Sequence, residues 1–304
     1  MTAMDKSVEI VEVSPRDGIQ NEPTILSTQD KVELVARAVD CGIKRLEVTS
    51  FVHPGRVPQM ADADEVAAAL PRDPALRYIG LALNFRGFER ARLAQMDEVT
   101  YVLVASDAFS QRNQGCTVQQ GIDNWTAVAL EAKGNMPMSV AIATAFGCPF
   151  EGEVSVDQLL RVVEAAAKSD PLEVALADTI GVATPKDVHM RVRAVKDAFP
   201  QLPIRLHFHD TRNTGIANAW AGIEAGVTIL DSSIGGVGGC PFAPNATGNI
   251  ATEDLIYLLD RSGVHTGVSM EKAIETAKWL ETKLGKASPG LVMKAGGFPV
   301  STGA

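Results

Sequence analysis

Apolar residues fall into two alternating kinds of segment along this chain. Short runs rich in aliphatic and β-branched residues begin at Val8 (VEIVEV), Ile43 (IKRLEV), Arg77 (RYIGLAL), Glu98 (EVTYVLV), Met138 (MSVAIAT), Leu172 (LEVALA), Ile204 (IRLHFH) and Val227 (VTILDSS). Each is six or seven residues long, the pattern of parallel strands buried on both faces. Between them lie longer Ala-rich stretches with helical spacing. The first opens at Ser27 or Thr28, either a suitable N-cap, and carries a stripe of Val32, Val35 and Val39. Others are near 61–70, 87–94, 118–133, 155–168, 184–198 and 213–225. Pro185 falls in the first turn of its helix, where a missing N–H does no harm.

Eight strand–helix alternations have two main solutions: an open doubly wound sheet or a closed barrel. The count of eight favours an α/β (β/α)8 TIM barrel, and no GxGxxG follows the first run to suggest a dinucleotide-binding sheet. Two further helical patterns, 252–261 and 269–284, predict a helical C-terminal extension. The Gly- and Pro-rich stretch after Gly285 predicts a poorly ordered tail. No linker divides the chain. The expectation is one domain over 1–304, with the barrel at about 5–240 and the C-terminal helices at about 250–285.

Composition changes this picture in three ways. Aromatics make up only 5% of the 304 residues against 46% hydrophobic overall, which predicts a barrel interior of Ala and branched aliphatics. The net charge of -9, from 28 Lys+Arg and 37 Asp+Glu, disfavours nucleic acid and anionic membranes but permits a local basic cluster for one small anion. Cys41, Cys116, Cys148 and Cys240 form no CxxC pair. The opening MTAMDKSVEI has no apolar secretory region, and no apolar run reaches the ~18 residues of a membrane span, so a reduced, cytoplasmic protein is expected.

A barrel places its chemistry at the C-terminal ends of the strands. Arg16 and Asp17 follow the first run, with Gly18 permitting a tight turn. Glu47 sits inside the second run, which Thr49, Ser50 and His53 follow; Asp178 and Thr179 follow the sixth. In the seventh, His207 and His209 share one face of the strand because residues two apart point the same way. Strands one, eight and seven are neighbours in a closed barrel, so Asp17 is within reach of both imidazoles. One carboxylate and two imidazoles suit Mg2+ or Mn2+ and also permit Zn2+ or Co2+. Asn249 offers a further carbonyl oxygen, or an Asx-turn or helix cap. The loop IGGVGGCPFAPNATG after the eighth strand is glycine-dense and carries Cys240, either a proton-transferring thiol on a lid or a packing residue. Arg16 is either an internal ion-pair partner of Asp17 or a cation for a developing oxyanion, and Glu47 pairs with it. Arg86, Arg90 and Arg112 follow strands three and four and read first as solvated surface residues, with contacts to phosphates as the alternative.

The segments SPRDGIQNE, EVTSFVHPGRVPQM, ALADTIGVATP, HFHDTRNTGIANA and GGVGGCPFAPNATGNIATEDL together resemble the hydroxymethylglutaryl-CoA lyases, metal-dependent barrels related to isopropylmalate synthase. The resemblance implies cleavage of a tertiary 3-hydroxyacyl-CoA, foremost 3-hydroxy-3-methylglutaryl-CoA, to acetyl-CoA and a keto acid. It implies a divalent cation, Mg2+ or Mn2+, held by Asp17, His207, His209 and Asn249. Arg16 would stabilise the departing enolate, Glu47 would support it, and His207 and Cys240 would be catalytic. Asp17 and His209 are both candidates for the general base. Arg16, Ser50, Asn113 and Thr179 would contact an acyl-CoA substrate in a homo-oligomer, dimer or tetramer. The sequence departs from the family at Ala141 and Ala175, where Tyr and Ser are usual, and at Arg212 and Asn213. Those departures imply an altered acyl group, as in citramalyl-CoA or a longer branched 3-hydroxyglutaryl-CoA. A condensing enzyme and a non-catalytic scaffold are the competing readings; the Cys240 loop, the lack of a long regulatory C-terminal domain and the intact site argue against them.

Overall fold

A computed structural model describes residues 6–239 and 248–299. Eight parallel strands close into a barrel: β1 (Glu9–Glu12), β2 (Arg45–Ser50), β3 (Arg77–Ala82), β4 (Glu98–Val104), β5 (Met138–Ala143), β6 (Val174–Asp178), β7 (Ile204–Phe208) and β8 (Ile229–Ser232). Six fall wholly within the runs that the hydrophobic pattern picks out, and β2 and β6 begin inside theirs and run on to Ser50 and Asp178. β1 closes the ring on β8, with Val11 paired to Asp231. Their outer faces are covered by α1 (Thr28–Asp40), α2 (Ala63–Ala69), α3 (Phe85–Leu93), α4 (Asp107–Gln114), α5 (Val118–Ala132), α6 (Val156–Ala167), α7 (Pro185–Ala198) and α8 (Gly215–Glu224). Ser27, Thr117 and Ser155 cap α1, α5 and α6 through their hydroxyls, each satisfying a backbone N–H that the first turn leaves without a partner. Helix α4 was not expected from the sequence. Its weakly apolar stretch DAFSQRNQ lacks a stripe, and it forms because Ser106 caps its start and Gly115, at φ 75°, ends it.

The barrel interior meets the expectation of Ala and branched aliphatics only in part. Its lower part is an ionic network. Arg45 on β2 grips two carboxylates at once, Glu98 at 2.6 and 3.1 Å and Glu173 at 2.8 and 3.0 Å. Arg205 on β7 lies 3.2 Å from Glu173 and 3.4 Å from Asp231. All five side chains are buried. Aliphatics share this interior: Val11, Ile79 and Ile229, paired in register with Arg45, Glu98 and Arg205, form a small cluster with Val13. Most other aliphatics pack between strands and helices, where Trp125, Tyr101 and Phe88 are also fully buried. Buried guanidinium groups at this depth are held by paired, hydrogen-bonded carboxylates, which offsets their loss of hydration.

The C-terminal extension contains α9 (Thr252–Arg261), α10 (Met270–Leu284) and α11 (Val292–Ala295). The stretch expected to be a poorly ordered tail is packed through residue 299. Asp254 on α9 accepts the backbone N–H groups of Leu291 and Val292, Met293 is buried, and Gly290 donates to the carbonyl of Gly235. Beside that contact, burial pushes the Glu253 carboxyl up to about 8, against the Gly235 N–H and with help from the Asp254 and Glu12 charges. A folded protein that retains a proton released by the unfolded chain is most stable below the ordinary carboxylate value of 4.5 and loses that increment as pH rises to about 8. Glu253→Gln is therefore expected to flatten the fall in thermal stability between those two values. An unchanged slope in melting temperature against pH would contradict it.

Candidate active site

At the C-terminal mouth of the barrel lies a cavity of about 480 Å³. The turn Ser14–Gly18 brings Arg16 and Asp17 over its edge. Gly18 is demanded there by close approach: a Cβ would stand 2.7 Å from Ser233 Oγ and 2.8 Å from Val237 Cγ2. From β7, His207 and His209 turn to the same side, their Nε2 atoms 3.2 Å apart. Asp17 Oδ2 lies 3.9 Å from the first and 3.7 Å from the second. Ligand atoms of these three residues all lie within 4.8 Å of one another, the spacing of groups that could hold one metal ion.

Asn249 is brought in by backbone pairing that no sequence pattern announced. Asp210 N–H donates to the Gly248 carbonyl and Ile250 N–H to that of Phe208, laying Asn249 against His209. Asn249 Nδ2 donates to Asp17 Oδ2 at 3.0 Å and to the Val237 carbonyl at 3.1 Å. Its buried Oδ1 has no partner among the described residues, nor has His209 Nδ1. A carboxylate and two imidazoles on one small volume, with the buried, unpartnered amide oxygen of the adjoining Asn249, fit a divalent cation.

Charge is tightly arranged around this cluster. Arg16 donates to Asp17 Oδ1 at 2.5 Å and to Glu47 Oε2 at 2.8 Å. Burial opposes its charge, but the Glu47 and Asp17 carboxylates outweigh burial and hold it protonated. Burial likewise opposes ionisation of Asp17, yet Arg16 and the two imidazoles keep its carboxyl well below the usual range. His207 Nδ1 meets Asp231 Oδ2 at 3.0 Å; burial works against its protonation, and Asp231 and Asp17 raise its affinity for a proton beyond the ordinary. This contact fixes the ring so that Nε2 faces Asp17 and His209. Asp231→Asn is expected to weaken Mn2+ binding about 10–100-fold, read by calorimetric titration. Unchanged affinity would remove Asp231 from that role.

Of the other residues singled out in the sequence, Asn113 and Thr179 line the cavity. The Thr179 hydroxyl accepts the Thr144 N–H at 2.8 Å. Ser50 is fully buried at the end of β2 and is not among the lining residues. Cys240 lies outside the described residues. Arg112 lines the cavity and stacks over the Phe150 ring at 3.8 Å, so it is not merely a solvated surface residue. Arg86 is exposed, and Arg90 pairs with Asp64 at 2.7 Å, away from the cavity. Sequence reasoning missed Arg56 at the rim and Asp231 and Arg205 at the floor. An acidic residue at the fifth position of the eighth run was the only available signal for Asp231.

The inner wall is apolar beside the charged cluster. Ala141 pairs with Ala175, and Ala177 stands opposite His207 on the next strand. Together with Ala143 and Val102 they line the side away from Arg16.

A closed parallel barrel with a carboxylate–imidazole cluster and a fixed guanidinium at its C-terminal mouth has the layout of a barrel enzyme, and its relatives make it one of the carbon–carbon lyase class. Comparison with known proteins makes this particular: residues 7–280 match the HMGL-like family, and the chain belongs to it. It is 41% identical over 302 residues to the (R)-citramalyl-CoA lyase of Chloroflexus aurantiacus, covering 96% of this chain and 95% of that one. It is 39% identical over 285 residues to a hydroxymethylglutaryl-CoA lyase of Bacillus subtilis, covering 93% and 95%. Among solved structures, an HMG-CoA lyase from Acinetobacter baumannii in complex with coenzyme A and 3-methylmalate superposes with a TM-score of 0.94 at 36% identity, covering 99% of this chain and 100% of that one. No helix among the described residues is long and apolar enough to cross a membrane.

Proposed function

We propose that this chain cleaves a tertiary 3-hydroxyacyl-CoA, foremost 3-hydroxy-3-methylglutaryl-CoA, into acetyl-CoA and acetoacetate. The observation that carries the reading is the convergence of Asp17, His207, His209 and Asn249 beside Arg16. A divalent cation on those four residues, Mg2+ or Mn2+ given the oxygen donors, would lower the pKa of the substrate's tertiary hydroxyl. Asp17 and His209 face that hydroxyl as proton acceptors. As the C–C bond breaks, its electrons move to the thioester carbonyl. Arg16, held rigid by Asp17 and Glu47, places fixed positive charge where the enolate oxygen develops. Arg56 and Arg112 at the rim supply the local cationic cluster for the anionic CoA, within a chain of net charge -9. The domain is proposed to span 1–304, since the C-terminal segment bonds to the root of the loop after β8.

A second reading, the same chemistry on citramalyl-CoA or a longer branched 3-hydroxyglutaryl-CoA, is favoured by the small wall of Ala141 and Ala175 and by the citramalyl-CoA lyase relative. Acetyl-CoA release from each substrate, with Mg2+ or Mn2+ and after EDTA treatment, tests both. Faster release from hydroxymethylglutaryl-CoA supports the first, and faster release from one of the others transfers the assignment to it. Release from none overturns the lyase reading, and release unaffected by EDTA overturns the metal roles.

A further inference from the structure

Two buried carboxylates stand beneath the site without facing the cavity. Glu12, the last residue of β1, is fully buried. Its Oε1 accepts the backbone N–H of Ser14 at 2.8 Å and that of Ile234 at 2.9 Å. Its Oε2 accepts the Thr252 hydroxyl at 2.7 Å, and Thr252 Oγ1 also meets Ser232 Oγ at 2.8 Å. Glu253 accepts the next amide along, that of Gly235, at 3.0 Å. Successive N–H groups at 234 and 235 are thus held by different buried carboxylates. The chain then turns through Gly235 and Gly236 at φ 75° and 67°, a conformation glycine adopts without strain.

The three segments tied to Glu12 carry or hold the members of the cluster that do not come from β7. Ser14 opens the turn bearing Arg16 and Asp17. Ile234 opens the segment leading to Val237, whose carbonyl accepts Asn249 Nδ2. Thr252 opens α9, three residues after Asn249. The contact between Asn249 Nδ2 and Asp17 Oδ2 at 3.0 Å therefore joins two segments whose roots meet on one carboxyl group.

We propose that Glu12 is a positioning residue, clamping the roots of these three segments so that Asp17 and Asn249 keep their separation and Arg16 its direction. A carboxylate offers acceptors on both oxygens and no donor, which matches two amides and a hydroxyl. Glutamine preserves the shape and one oxygen, but it presents N–H groups to Thr252 and replaces charge-assisted bonds with weaker neutral ones. The hydroxyl can rotate to accept from that amide, so Glu12→Gln retains the fold and loosens the clamp.

The kinetic arm of the test rests on the lyase reading; the metal arm does not. Wild type and Glu12→Gln are compared in melting temperature, in Mn2+ affinity by calorimetric titration, and in kcat and KM. The expected result is about tenfold weaker Mn2+ binding and about tenfold lower kcat, with KM altered less than about twofold. Glu12→Met should lose more than Glu12→Gln on both readouts. A lower melting temperature with Mn2+ affinity and kcat unchanged would reduce Glu12 to a stability role and overturn the proposal, as would a loss confined to KM. Should Glu12→Gln fail to fold, Thr252→Val removes a single donor: weaker Mn2+ binding supports the clamp and unchanged binding overturns it. A wild type that releases no acetyl-CoA sinks the lyase reading alone, leaving the Mn2+ comparison to decide on Glu12.

Discussion

Arg16→Gln is expected to lower kcat about 10²–10³-fold while leaving KM for the acyl-CoA nearly unchanged. The guanidinium is almost buried and pinned between Asp17 and Glu47, so it needs no reorganisation when negative charge appears on the thioester oxygen. In the ground state that oxygen is a neutral carbonyl with little attraction for a cation. Most of the interaction is made only as the C–C bond breaks, and so it raises turnover rather than binding. Glutamine keeps a hydrogen-bond donor but no charge, and it leaves Glu47 unpaired in a buried position. Melting curves of the variant separate that local cost from the catalytic one. Equal losses in kcat/KM through KM alone would show that Arg16 binds substrate instead.

Arg45→Met is expected to destabilise the fold by about 3–5 kcal/mol, because it strands two buried carboxylates. Glu98 and Glu173 have side-chain exposures of 0% and 2%, and Arg45 supplies two hydrogen bonds to each. Methionine fills part of the volume and none of the charge. The burden passes to Arg205, which already faces Glu173 and Asp231. A melting temperature lower by roughly 5–8 °C is the measurable consequence. Arg45→Lys should recover part of it, since a point charge remains without the planar fork. A variant as stable as wild type would mean that the carboxylates take up protons at little cost.

The barrel was legible because its signal is local and repeated. Each barrel strand must be apolar on the face that meets the helices, and each helix must show one apolar stripe. The paired imidazoles were legible for a related reason, since strand geometry alone puts His207 and His209 on one side. Helix α4 escaped because capping by Ser106 and Gly115, rather than an apolar stripe, defines it. The ordered segment after Gly285 escaped because glycine and proline there serve close contacts with α9 and Gly235, which only the partners reveal.

By itself the sequence determined the order of strands and helices, the ends of the strands where chemistry would gather, and the residue types that could share a cation. Those follow from periodicity and from the side-chain inventory. Only the tertiary structure decided that Asn249 lies on Asp17, that Asp231 steadies His207, and that Ser50 stays away from the cavity. It also decided that Arg45, Glu98, Glu173 and Arg205 share the base of the barrel with the aliphatics Val11, Ile79 and Ile229. The reason is physical: a strand's pattern shows which face is enclosed, whereas the balance of charge inside a closed ring depends on side chains from strands far apart in the chain.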